Sequence, residues 1–213
     1  MSEFLFNTKL DQTILLGRKS RNIPELLESI VNVPESSIYY HTHRYLQQHH
    51  YLSPEPPNDF AYWIREVLND VRLGEALSSV DIIQFNNLTD LRSKFVEIMQ
   101  EHLQSLDKVR DCSPGEEFHF MASRTFVLHT PYSAATLKEF RDVLRQISIS
   151  SIYYHIFDAK LRLKKGENDF SRWFRDTGHP ELAAQVARLD PYSYTLEGLR
   201  SKILALGEQY DTN

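Results

Sequence analysis

Apolar residues recur at three- and four-residue spacing through most of the chain, the period of an amphipathic helix. After Asn22, a residue suited to cap a helix, Ile23, Leu26, Leu27 and Ile30 form one stripe. A second helix is predicted from Ser36 or Ser37, behind Pro34, to about His50, where Ser53-Pro-Glu-Pro-Pro57 stops it. Asn58 or Asp59 then caps a third, with Phe60, Trp63, Ile64 and Val67 on its apolar face. A short piece around Leu73–Leu77 leads to Asp81, and a long last helix starts near Leu88. Leu5 to Leu16 alternates in part between apolar and polar residues, so a short strand competes with a helix there; helix is preferred.

The pattern is then written a second time. Ser-Ser-Ile-Tyr-Tyr-His stands at 36–41 and again at 150–155, and a shift of 114 aligns Glu3-Phe4-x-Phe6 with Glu117-Phe118-x-Phe120. Small deletions bring Asn58-Asp59-Phe60-x-x-Trp63-x-Arg65 onto Asn168-Asp169-Phe170-x-x-Trp173-x-Arg175, and Leu91-Arg92-Ser93-Lys94 onto Leu199-Arg200-Ser201-Lys202. In the second copy the corresponding elements follow Thr136, end at Gly166, cover Glu181–Val186, meet Asp190 and restart near Leu196. Matches in one order across the whole length argue for a tandem duplication. The expected architecture is all-α: two homologous helical bundles of about 100 residues, related by a pseudo-two-fold, residues 1–104 and 117–213 joined by a linker at 105–116.

Composition narrows the function classes. Hydrophobic residues make up 41% and charged residues 25%, as in a globular domain. A formal net charge of −5 argues against a phosphate backbone as partner. The basic run Lys160-Leu-Arg-Leu-Lys-Lys165 reads as the solvated flank of a helix end. The one cysteine, Cys112, precludes an intrachain disulfide and has no zinc or redox spacing around it. No apolar run reaches membrane-spanning length, and the first residues lack the basic and apolar regions of a signal peptide. A cytoplasmic setting is expected.

The candidate chemistry lies in the polar residues that both copies keep. They are Tyr40, His41, Asn58, Asp59, Trp63 and Arg65 in the first, and Tyr154, His155, Asn168, Asp169, Trp173 and Arg175 in the second. On an ideal helix His41 shares a stripe with Ile38, Tyr45 and His49, so it faces inward and needs a hydrogen-bond partner, which Asn58 or Asp59 would supply. Two readings follow. The histidine and carboxylate either staple two helices, or they line a pocket whose Tyr, His, carboxylate and Trp suit acid–base chemistry or a sugar or other polyol. No metal or other cofactor is expected. In His41-Thr-His-Arg-Tyr-Leu-Gln-Gln-His-His50, His41 and His43 face different sides, and His41 and His49 are about 12 Å apart on a helix rising 1.5 Å per residue. Phosphate loops and nucleophile elbows are missing from the sequence. The repeated Arg65, Arg175, Arg92 and Arg200 could grip an anion, but inter-helix ion pairs are the preferred reading.

SIYYH, NDFxxW and the LR of the last helix together resemble an uncharacterised prokaryotic domain family of unknown function. The likeness covers almost the whole chain and implies no activity, cofactor or catalytic residue. The reading that follows is a non-catalytic interaction or regulatory module, its partner another protein or a further copy of itself. The alternative is a polyol- or sugar-binding protein or enzyme that uses the repeated cluster.

Overall fold

The computed structural model describes residues 3–44, 58–163, 167–189 and 193–210. The Ser53–Pro57 stop, the Tyr45 and His49 positions, Lys164, Lys165, Gly166 and Asp190 lie outside the described residues. In order, the elements are β1 (Phe4–Ser20), α1 (Ile23–Asn32), α2 (Glu35–Tyr39), α3 (Asp59–Glu66), α4 (Val71–Ser78) and α5 (Leu88–Gln104). They continue as β2 (Phe118–Ala134), α6 (Leu137–Leu144), α7 (Ile149–Tyr153), α8 (Ala159–Leu163), α9 (Asp169–Asp176), α10 (Pro180–Ala187) and α11 (Leu196–Glu208).

The all-α expectation is wrong. Both opening segments are 17-residue strands that pair with each other as a two-stranded antiparallel sheet, so the protein is mixed α and β, and neither unit is a bundle of helices alone. The preference for helix over Leu5–Leu16 fails for a physical reason. Strand formation there is fixed by a partner more than 100 positions away, which no local window contains. Thr130 donates to the Phe6 carbonyl at 2.5 Å, His129 meets Asn7 at 2.8 Å and Lys19 meets Glu117 at 3.4 Å. Paired positions therefore sum to 136.

The chain forms two compact units, each discontinuous in sequence. One joins Asp11–His49 to Ser53–Arg124; the other joins Met1–Leu10 to Thr125–Asn213. The unit carrying α1–α5 receives Phe118 and Phe120, whose rings stand 5.3 and 6.3 Å from Phe60, with Phe95 behind it at 5.8 Å. The unit carrying α6–α11 receives Phe4 and Phe6, 5.5 and 5.1 Å from Phe140, with Phe170 at 5.5 and 6.2 Å. Each set of helices thus closes its core on two aromatic residues from a strand that begins the other half of the sequence.

Helix starts follow local chemistry. Asn22 accepts from the Glu25 N–H at 2.9 Å, and Thr136 forms a reciprocal capping box with Glu139. Gly74 is required because a Cβ there would meet the Arg65 Cβ at 2.7 Å, so α4 can lie this close to α3 only with glycine. Arg92 donates to the carbonyls of Val31 and Val33, and Arg200 to that of Leu144, tying α5 and α11 to the ends of α1 and α6. These arginines bind backbone acceptors across the helices, and Arg200 pairs in addition with Glu197 on its own helix.

Strand exchange makes a prediction. Phe6→Ala should cost about 3–5 kcal/mol, and native-state hydrogen exchange should place the lost protection in α6–α9. Loss of protection in α1–α5 instead would contradict the assignment of Phe6.

Candidate functional site

The shared hexapeptide does not continue as α-helix. In both copies it runs into a π-helical turn, Tyr40–Arg44 after α2 and Tyr154–Asp158 after α7. The wider turn alters the positions that share a face. His41 and His43 are both buried, contrary to their expected placement on opposite sides. His43 bonds Thr42 at 3.0 Å and stacks on Tyr39 at 5.5 Å.

Each shared histidine is closed on both ring nitrogens. His41 Nδ1 lies 2.7 Å from Asp59 Oδ2, and its Nε2 accepts the Met121 N–H at 3.0 Å. His155 Nδ1 lies 2.7 Å from Asp169 Oδ2, and its Nε2 accepts the Asn7 N–H at 2.8 Å. An acceptor at Nε2 leaves the proton on Nδ1, where it is donated to the carboxylate, so both rings are neutral. Aromatic residues surround them: Phe60, Phe118 and Phe120 about His41, and Phe4, Phe6 and Phe170 about His155.

Electrostatics fit this arrangement. Burial pushes His155 below its ordinary value, against the opposing pull of Asp169. Burial would raise the Asp169 carboxyl, but hydrogen bonds from His155 and Arg162 outweigh it and hold it low. Arg162 reaches Asp169 Oδ2 at 2.6 Å and lies 4.2 Å from the centre of the Tyr154 ring. Tyr154 is raised, chiefly by burial and further by Asp169, with Arg162 opposing.

The other expected residues divide. Asn58 and Asn168 are buried N-caps, accepting from Ala61 and Ser171 at 2.8 Å, while their amides donate to the carbonyls of Leu77 and Val186 at 3.1 and 3.4 Å. Trp63 donates to the Glu116 carbonyl at 2.7 Å, and Trp173 stacks on Phe140 at 5.2 Å. Tyr40 sits over His41, with Arg44 5.0 Å from its ring centre. Arg65 and Arg175 stay apart from both clusters, half-exposed and paired with Glu66 and Glu167. His and Asp are therefore bonded directly with Tyr against the ring, Asn and Trp make their contacts with other groups, and the repeated arginines stand apart.

Several contributors were hidden from sequence reading. The Met121 and Asn7 amides are backbone groups with no residue signature. Arg162 belongs to the run read as a solvated flank. Lys9 is fully buried, 2.6 Å from Asp158 and 4.7 Å above Tyr153; a lysine inside a strand pattern is the signal that would have marked it. Among the described residues no His, Cys, Asp and Glu cluster could hold a metal ion, and no helix is long and apolar enough to cross a membrane. Two clefts lie elsewhere. One of about 900 Å³ is bordered by Thr136, Lys138, His179 and Tyr210, and one of about 390 Å³ by Asn69, Asp70 and Lys108. Neither is lined by His41 or His155.

The arrangement has the first two members of a carboxylate–histidine relay, but a strand amide occupies the place where a nucleophile would give up its proton. The chain belongs to the family of unknown function DUF5752, whose model matches residues 1–208. It is similar to the solved structure of OrfY from Thermoproteus tenax, at 28% identity over 100% of this chain and 97% of that one, with a TM-score of 0.84. Comparison with curated proteins gives no match.

Two outcomes follow from the geometry. In a double-mutant cycle on His155→Ala and Asp169→Ala, denaturant unfolding should give a coupling above about 1 kcal/mol, with both single variants destabilised. Acid should also destabilise. The unfolded chain takes up a proton at His155 near its ordinary value of 6.5 while the folded ring resists, so stability falls as pH drops below that point. Asp169 adds a second loss below its ordinary 3.8 and down through its lowered folded value. In His155→Gln the first loss should shrink; an unchanged slope between pH 6.5 and 5 would show that other groups cause it.

Proposed function

We propose that the protein is a non-catalytic interaction module built by tandem duplication. One observation carries this reading: both nitrogens of His41 and of His155 are bonded inside the protein, so neither ring has a site left for a substrate proton, a metal or a sugar hydroxyl. Buried polar networks of this kind fix one arrangement of the chain, and a half-satisfied one would cost about 1–3 kcal/mol per orphaned group. The duplication is supported by the same bonds, caps and π-turns recurring in both halves. A net charge of −5 argues for protein over nucleic acid as partner, and the single cysteine favours the cytoplasm.

A thermal-shift screen of sugars, polyols and divalent metals tests the reading. No compound is expected to raise Tm through the histidine clusters. A shift that disappears in both His155→Gln and His41→Gln would overturn the proposal in favour of a binding site.

A further inference from the structure

Both copies open a cleft at the same place. In the unit carrying α1–α5 it lies against Ile23 at the start of α1, the α3–α4 turn at Asn69 and Asp70, and the segment that follows α5. In the other unit the larger cleft lies against Leu137 at the start of α6 and the α9–α10 turn at Gly178 and His179. The two turns correspond residue for residue. Asn69 and Gly178 take a positive φ, +55° and +91°. Asp70 and His179 stand at the N-caps, and Arg72 in α4 occupies the place of Glu181 in α10. Duplication has kept the concavity and changed its lining.

Charge separates the two clefts. The smaller is rimmed by Arg72, Lys108 and Arg110, all exposed, over a floor that includes Ile23 and Leu68, 5% and 4% exposed. Acidic residues outnumber lysine and arginine in the chain, 29 to 24. Even so, among the described residues none of these three cations forms an ion pair. The carboxylate that lines the cleft is engaged elsewhere: Asp70 Oδ1 accepts the Leu73 N–H at 3.0 Å, and Oδ2 meets His102 at 2.7 Å. Asp111, next to Arg110 in sequence, accepts from the Asn22 amide at 2.7 Å. Three like charges around one concavity repel each other, and an anion seated among them relieves the repulsion. Two guanidinium forks and an ammonium match the several oxygens of a phosphoryl dianion better than a lone carboxylate. We propose that this cleft binds a small phosphate ester, with Arg72, Lys108 and Arg110 on the phosphoryl group and the apolar part of the ester on Ile23 and Leu68. Its volume of about 390 Å³ falls at the small end of ligand pockets, roughly 300–1,000 Å³, room for one small molecule. A net charge of −5 argues against a longer polyanion. The second cleft does not share the role, because Glu181 sets a negative charge where Arg72 stands. The inference goes beyond the module reading: it gives such a module a ligand to respond to.

Calorimetric titration of the full chain at low salt provides the test. The probes are phenyl phosphate, inorganic phosphate as the bare head group, and benzoate as the carboxylate counterpart. Phenyl phosphate should bind at a single site, more tightly than inorganic phosphate, and benzoate should give no binding heat. Arg72→Glu, which writes the second copy's charge into the first, should weaken phenyl phosphate at least about tenfold. The double variant Lys108→Ala and Arg110→Ala should do the same, each variant keeping its circular dichroism. Lys138→Ala, at the other cleft, should leave the affinity as it was. Absence of phenyl phosphate binding, or binding indifferent to Arg72→Glu, overturns the site. Binding of a poly-glutamate peptide in place of phenyl phosphate would give the cleft to an acidic protein segment. Cosedimentation with phosphatidic-acid vesicles that is lost in Arg72→Glu would give it to a membrane surface. Either result overturns the small ester. All of them leave the module reading standing, because that reading falls only to a ligand captured by the histidine clusters.

Discussion

The hydrogen bond from a strand amide to an imidazole nitrogen is the constraint on which the remaining features depend. His41 and His155 can each accept it only while neutral and only with the proton on Nδ1, and Asp59 and Asp169 hold the proton there. That tautomer seats Met121 and Asn7 against the helices. The seating in turn delivers Phe118 and Phe120, or Phe4 and Phe6, into the aromatic core. Removal of the carboxylate would therefore loosen a strand that it does not touch.

A hexapeptide kept twice would suggest a repeated catalytic device. The physical account differs. The π-turn brings His41 and His155 to the helix surface where a strand arrives, and Asn58 and Asn168 set the start of the next helix so that the neighbouring Asp59 and Asp169 meet the ring. The histidines join helix to strand, and the asparagines and aspartates set and hold the helix start that meets them. The two copies differ around this frame. Arg162 braces Asp169 in one, and in the same unit Lys9 and Asp158 bury a charge pair of the kind that costs desolvation unless its geometry is good.

Much of this was legible in the sequence. The helix starts at Asn22 and Thr136 follow from local capping chemistry, and so does a start at Asn58 or Asp59. The inward direction of His41 and a partner in that same pair follow from period and spacing. The structure divides the roles, Asn58 capping and Asp59 bonding the ring. The strands were not legible, because Phe4–Leu16 gains its structure from β2, and the alternation that marks a strand is blurred where inner and outer segments adjoin. The placement of His43 was missed because an ideal helical period was applied across a π-turn. Arg162 was missed because a basic run looks solvated until its carboxylate partner is in place. Arg65 and Arg175 were drawn into the candidate cluster by their repetition, although their side chains leave α3 and α9 on the solvent side.

Strand exchange also bears on how the protein is made. On the ribosome the helices α1–α5 emerge complete, yet their core lacks Phe118 and Phe120 until synthesis has passed Arg124. Phe4–Leu10, which precedes α6–α9 in the chain, has no seat until those helices exist. Between the synthesis of Phe4 and that of α9 the nascent chain therefore carries an unseated aromatic strand, and closure of each unit depends on contacts of very long sequence separation, which form slowly. The strand that is exposed longest during synthesis is thus the one whose seat is made last.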